Sequence, residues 1–338
     1  MKEDIKNLSL PELESYLTRI KQPRFHAHQI FSWVYQKKVE DFTLMSNLPQ
    51  DLRQRLKEEF SCCGLKIIEK HTSRDGTEKF LFALKDNNTI EAVRIPAAKR
   101  ITGCISSQAG CKFGCMFCAS ASSGFKRNLA CAEMLDELMR LGALTHVVFM
   151  GTGEPLDNYD NVLRAVRMIN APEGFNIGAR RITISTCGII PGIERLAEEN
   201  LQIELSISLH AADEFTRSRL VPINKKYPLN KLLSCCREYI RKTNRQVTFE
   251  YILIKGVNAD LQHAGNLAKL LKPLKLCKVN LIPANAVVEL KIAPPPEKEI
   301  RAFTGCLLKA GVNATLRKPR GQDIQAACGQ LRHNYAKN

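Results

Sequence analysis

"QIELSISL", residues 202–209, alternates without a break. Ile203, Leu205, Ile207 and Leu209 fall on one face of an extended strand, and Gln202, Glu204, Ser206 and Ser208 on the other. "RRITIST", residues 180–186, does the same, with Ile182 and Ile184 set against Arg181, Thr183 and Ser185. Parallel strands covered on both faces read as continuous apolar runs. Here one face is polar. If the apolar faces meet helices, the polar faces line a lumen that holds a polar ligand; the alternative is an exposed sheet face.

Working outward, strands alternate with helices from about residue 100. ITGCISS, THVVFMG, QVTFEYILI, KVNLIP and NATLRK complete the strand set. CAEMLDELMRL, NYDNVLRAVRMI, PGIERLAEEN, PLNKLLSCCREYIRK, LQHAGNLAKLLK and EKEIRAFTGCLLKA carry helical spacing between them. This order predicts a parallel α/β sheet, open or closed into a barrel. Ligands bind at the carboxyl ends of such strands, where Ser185, Ser208, Gly151 and Gly153 stand. Upstream, residues 10–60 read as helical, and GLKIIEKH, TEKFLFAL and TIEAVRIP as short strands with turns at Asp75-Gly76 and Asp86-Asn87-Asn88. The expected division is a small helical domain over 1–62, a β extension over 63–97 and the core barrel over 98–338.

The net charge of +16 predicts a polyanionic partner, nucleic acid first. The alternative is a basic surface kept for solubility. The charged start MKEDIKNLSLPELESYL is no signal peptide, and no apolar run approaches the ~18 residues of a membrane span. A cytoplasmic protein with no membrane partner is expected. In a reducing compartment, 13 cysteines point to metal ligands or redox chemistry more than to a disulfide framework.

"GCKFGCMFC", residues 110–118, gathers Cys111, Cys115 and Cys118. A structural zinc site wants four protein ligands, and no fourth Cys or His stands nearby at ribbon-like spacing. A cubane iron–sulfur cluster can take three thiolates and leave one iron open, with Gly110 and Gly114 helping the loop to wrap it. This CxxxCxxC spacing after a strand resembles the signature of radical S-adenosylmethionine (SAM) enzymes. Gly151-Thr152-Gly153-Glu154-Pro155, after the next strand, resembles their GEP motif.

"CISSQAGC", "SISLHA", "VNLIPANA" and "DIQAACGQL" occur in order along the chain. Together with the cluster loop they resemble the radical methyltransferases that methylate adenine in 23S ribosomal RNA, a family that includes antibiotic-resistance enzymes. The similarity runs from about residue 10 to 333. It implies a partial TIM-like (β/α)6 barrel behind an RNA-contacting helical domain. It also implies one [4Fe–4S] cluster per chain on Cys111, Cys115 and Cys118, and two SAM molecules per turnover. Gly153, Glu154, Ser185, Ser208, Leu209, His210 and Asn285 match the SAM-binding positions. Cys328 matches the cysteine that becomes S-methylated. Cys104 matches the cysteine that resolves the protein–RNA link through a transient disulfide, and Glu91 the proton acceptor.

The implied reaction moves a methyl group to Cys328, activates it by hydrogen abstraction, adds it to adenine, and releases the product by attack of Cys104 on the Cys328 sulfur. The implied partners are 23S rRNA, tRNA and a flavodoxin-like electron donor, acting on a monomer. Cys62, Cys63, Cys131, Cys187, Cys235, Cys236, Cys277 and Cys306 match no motif and read as structural.

The chain departs from the family pattern in places. Cys118-Ala119-Ser120-Ala121 replaces a CATG-like run, and GTGEP replaces GMGEP. The stretch from Asn128 to Val148 is short. Ala130 stands where a Thr would cap the next helix, three residues before Glu133, so that helix is expected to lack its cap at a cost of roughly 0.5–2 kcal/mol. Methylation at carbon 2 of adenine is the expected activity. The alternatives are methylation at carbon 8 and a non-catalytic iron–sulfur or zinc protein that binds RNA or senses redox state.

Overall fold

The structure, a computed structural model, describes residues 2–121, 124–285 and 292–331. The last residue of VNLIPANA and the end of the 98–338 unit lie outside these.

Three helices form the start of the chain: α1 (Leu10–Arg19), α2 (His26–Phe31) and α3 (Gln50–Glu59). Ser9 and Glu12 cap α1 reciprocally, and Pro11 sits in its first turn, where a missing N–H costs nothing. Three strands follow, β1 (Lys66–Thr72), β2 (Glu78–Ala83) and β3 (Thr89–Ala97). The barrel strands are β4 (Arg100–Ile105), β5 (His146–Phe149), β6 (Ile182–Thr186), β7 (Glu204–Ser208), β8 (Val247–Leu253), β9 (Cys277–Pro283) and β10 (Ala314–Leu316).

Every strand pairs with the next in this series. Pairing is antiparallel from β1 to β4 and parallel from β4 to β10. The β extension is thus hydrogen-bonded into the barrel sheet through β3. Helices α4 (Cys131–Leu141), α5 (Tyr159–Asn170), α6 (Ile190–Ala197), α7 (Glu214–Leu220), α8 (Leu229–Thr243), α9 (Leu261–Leu271) and α10 (Glu297–Lys309) fill the crossovers. The fold is the expected partial barrel: six parallel strands and a short seventh, β10, with a helical start and a β extension.

Alternation in β7 does what its pattern predicts. Leu205 and Ile207 are fully buried in the main core. On β8, Glu250 and Ile252 face the lumen while Phe249 and Tyr251 join the core. Glu250 pairs in register with Ser208 on one side and Asn280 on the other, and Asn280 Nδ2 donates to its Oε2 at 2.8 Å. One core is continuous from Leu13, Leu17 and Ile30 of the helical start to Leu135, Phe149 and Leu205 of the barrel.

Polar contacts fasten the same joint. Lys6 is 1% exposed and lies 3.0 Å from Asp4 and 3.4 Å from Asp136 of α4. Asn7 Oδ1 accepts the Ala132 N–H at 2.9 Å, and Glu133 accepts the Ala130 N–H at 2.8 Å. The expectation that α4 lacks a cap is therefore corrected: Asn7, remote in sequence, supplies the acceptor that Ala130 does not.

At the other end, the β1–β2 turn grips the segment leading to Cys328. Asp75 Oδ2 accepts from Gly321 N–H at 3.1 Å. Asp323 accepts from Ser73 Oγ at 2.6 Å and from Arg74 N–H at 3.2 Å. Among the described residues no helix is long and apolar enough to cross a membrane.

Candidate active site

The three-cysteine loop leaves the lumen after β4. Gly110 has φ 77°, and a Cβ there would lie 1.7 Å from the Gly124 carbonyl oxygen, so only glycine fits where the two chain segments cross. Ala119 N–H donates to Gly329 O at 2.7 Å, and Ser120 Oγ to Leu331 O at 2.7 Å. The loop is thus tied to the Cys328 segment. Cys111, Cys115 and Cys118 line a single cavity at the carboxyl ends of the strands. Burial pushes the Cys111 thiol up to about 12 and raises Cys115 and Cys118 as well.

The donor set fits a cluster better than a single ion. Four ligands at about 2.3 Å from one zinc lie less than about 4 Å from each other. Among the described residues no three His, Cys, Asp or Glu side chains gather to hold one metal ion. Three soft thiols spread over one cavity suit separate irons of a polynuclear cluster.

The GTGEP loop forms the next wall. Gly153 has φ 107°, and a Cβ there would meet Gln108 N at 2.7 Å. Gln108 Oε1 accepts the Glu154 N–H at 2.9 Å. Glu154 is 4% exposed, and its oxygens accept from Leu156 N–H at 3.0 Å and Cys187 N–H at 2.7 Å. Burial raises its carboxyl, and these hydrogen bonds oppose the rise. Ser185, Ser208 and His210 line the same cavity. His210 accepts the Ile252 N–H at Nδ1, 3.0 Å away, and burial lowers the ring to about 3, so it is neutral. Its ring meets Phe117 edge-on at 4.4 Å. Leu209 is fully buried in the core, and its N–H donates to Glu250 O at 3.1 Å.

A second cavity adjoins the first. Cys104 and Cys328 both line it, and Cys328 lines the first as well. Cys104 sits on β4 between Val93 of β3 and Val148 of β5. Burial pushes its thiol up to about 12, and the nearby Cys328 adds to this. Asn285 is at this second cavity: its Nδ2 donates to the Cys328 carbonyl at 3.1 Å, and its Oδ1 accepts from Gln322 at 2.8 Å.

Glu91 is 7% exposed on β3, 3.1 Å from Lys79 Nζ, and lines neither cavity. Two residues along the strand, roughly 7 Å, is Val93, which packs with Cys104. Glu91 is therefore on the Cys104 face, outside both cavities.

Three lining residues escaped the sequence reading. Arg317, at the end of the last strand, lines both cavities, and the neighbouring Cys328, Glu250 and Cys104 hold its charge in place. Glu250 faces the lumen beside it; its period-two position on β8 was the available signal. Cys187 is the third. Read from sequence as structural, it lines the first cavity with the three loop cysteines. No disulfide joins any two of the 13 cysteines.

This fold, with three thiols and a Gly-Glu-Pro loop at the strand ends, defines a radical SAM enzyme. The model of the Radical SAM superfamily matches residues 105–268, and that of the ribosomal RNA large subunit methyltransferase N-terminal domain matches residues 3–62. A solved radical SAM methyltransferase from Sphaerobacter thermophilus superposes with a TM-score of 0.93 at 42% identity, covering 97% of this chain and 99% of that one. The probable dual-specificity RNA methyltransferase RlmN of Caldanaerobacter subterraneus subsp. tengcongensis is 45% identical over 339 residues, covering 99% of each chain. The RlmN relative of Geobacillus kaustophilus is 47% identical over 336 residues, 97% of this chain and 92% of that one. The chain belongs to the RlmN family of radical SAM RNA methyltransferases, which use a [4Fe–4S] cluster and SAM.

Proposed function

We propose that this protein methylates carbon 2 of adenine in 23S rRNA and in tRNA, with Cys328 as the methyl carrier. One observation carries the reading: Cys328 lines both the cavity of Cys111, Cys115, Cys118 and Glu154 and the cavity of Cys104. A thiol at that junction can be loaded on one side and resolved on the other.

In this reading Cys111, Cys115 and Cys118 hold the cluster, Gly153, Glu154, Ser185, Ser208 and His210 hold SAM in the first cavity, Leu209 backs Ser208 and His210 from the core, and Asn285 borders the SAM site through its bond to the Cys328 segment. When bound, the cluster and SAM supply the methyl group and the radical that activates it. The protein supplies placement. Asn285 and the Asp75 and Asp323 clamps fix the Cys328 segment. Arg317 stands beside Cys328 and lines both cavities with it.

Once Cys328 is joined to adenine through the methylene carbon, the adduct gives up one electron, for which the bound cluster would be the acceptor, and Glu91 takes the ring proton. The Cys104 thiolate then attacks the Cys328 sulfur, forming an S–S bond while the carbon–sulfur bond to RNA breaks; the methylene carbon keeps that bond's electron pair and takes back a proton, the one held by Glu91, to become the methyl group. Residues 1–62 and the basic surface contact RNA, residues 63–97 brace the Cys328 segment, and residues 98–338 carry the chemistry. A flavodoxin-like donor provides electrons to the monomer.

The test is mass spectrometry of digested rRNA and tRNA from cells lacking the native enzyme. This chain should restore 2-methyladenosine and Cys328→Ala should not. Methylation by Cys328→Ala, or 8-methyladenosine alone from the parent, contradicts the reading.

A further inference from the structure

Cys187 follows Ser185 and Thr186 at the end of β6 and is 7% exposed. It lines the same cavity as Cys111, Cys115 and Cys118. It packs in one apolar group with Cys115 and Phe117. Buried Leu220, Val221 and Ile252 belong to the same group.

Its attachment matters as much as its place. The Cys187 N–H donates to Glu154 Oε2 at 2.7 Å. Glu154 is the acid assigned above to SAM. A fourth soft donor is therefore fastened to the residue whose engagement reports whether SAM is present.

We propose that Cys187 is a conditional fourth cluster ligand: when SAM is absent its sulfur closes the iron corner left open by Cys111, Cys115 and Cys118, and SAM displaces it. This rests on the assignment of the cluster to those three cysteines. On closing, one iron–sulfur bond forms and the thiol proton passes to the Glu154 carboxylate. On SAM binding that bond breaks and the proton returns to sulfur. No electron is transferred in either direction. The device keeps an idle cluster from losing its open iron.

Cys328 shares the cavity and is the competing thiol. It lines the second cavity too, with Arg317 and Cys104, whereas Cys187 lines only the first and is hydrogen-bonded to Glu154.

The experiment compares reconstituted parent, Cys187→Ala, Cys187→Ser, Cys328→Ala and Cys115→Ala proteins. Serine keeps a hydroxyl donor toward Glu154 but is a poor iron ligand. Without SAM, the two Cys187 variants should lose iron to a three-iron form severalfold faster than the parent on oxidant addition, followed by electron paramagnetic resonance. Saturating SAM should make their rates equal to the parent's.

SAM affinity by equilibrium dialysis gives a second readout of opposite sign for the two possible roles. Removing a competitor tightens SAM binding, because the open form no longer shares its population with a closed one. Removing a residue that only positions Glu154 weakens it. Tighter binding in Cys187→Ser supports the inference. Unchanged oxidation rates, weaker SAM binding by Cys187→Ser, or faster iron loss in Cys328→Ala alone overturns it. A full cluster in Cys115→Ala overturns the cluster assignment itself, and this inference with it.

Discussion

Asn7 caps a helix through a residue 125 positions further along the chain: its Oδ1 accepts the Ala132 N–H at 2.9 Å. The helix is α4, which follows the three-cysteine loop. The helical start therefore completes the first crossover of the barrel. Asn7→Ala should destabilise the protein by roughly 1 kcal/mol, the usual cost of losing an N-cap. Urea denaturation measures it, and an unchanged midpoint contradicts the role.

Lys6 pairs with two buried acids at the same joint, Asp4 and Asp136, the latter's carboxyl pushed up by burial to about 7. Replacing it with Met leaves Asp4 and Asp136 buried without their cation, and should cost roughly 3–5 kcal/mol. The double variant Lys6→Met with Asp136→Leu should recover much of this. A Lys6→Met protein as stable as the parent means that the triad does not fasten the joint.

The Asp75 clamp should fail in acid. Burial raises its carboxyl, but hydrogen bonds from Thr77, Gly321 and Ser73 outweigh this and lower it to about 2. The folded value is below the unfolded one of about 3.9. Its contribution is therefore complete above about pH 4 and is lost as pH falls through about 2. At neutral pH, Asp75→Ala should mimic that loss and speed amide exchange from Gly321 to Cys328. Exchange identical to the parent's removes the clamp from the account.

Cys104 should be a sluggish thiol until the pH is high. Its thiol is pushed up to about 12, whereas Cys63 is exposed. Iodoacetamide at pH 7 should label Cys63 well before Cys104, as read by peptide mass spectrometry. Labelling of Cys104 should rise about tenfold per pH unit through pH 9, following its thiolate fraction. Equal labelling at pH 7 contradicts the burial.

Much of this site was legible in the sequence because its parts are local. The alternation around Ser206 and Ser208 announced a polar lumen, and three cysteines within eight residues announced a metal loop. Cys104, Cys328 and Glu91 were placed by resemblance, since nothing local separates them from ordinary core or strand residues. Asn7 was illegible for a physical reason: a cap supplied from 125 residues away leaves no spacing to read. Cys187 was missed because its neighbours in sequence form no metal motif. Its nearness to the other thiols arises only when Glu154 draws the end of β6 to the GTGEP loop. Arg317 follows a three-residue edge strand, too short for a pattern to show which way it faces.

The central claim is that Cys104 and Cys328 act in sequence on one bound RNA. Removing Cys328 removes the methyl carrier, so no adduct forms. Removing Cys104 leaves loading and addition intact and deletes the thiol that resolves the link. The most direct measurement is a denaturing gel of Cys104→Ala and Cys328→Ala proteins made in cells, run before and after nuclease treatment. The account predicts an RNA-linked, nuclease-sensitive band for Cys104→Ala, absent from Cys328→Ala. If Cys104→Ala shows no such band while the parent methylates adenine, Cys104 is only a core cysteine and the account is contradicted.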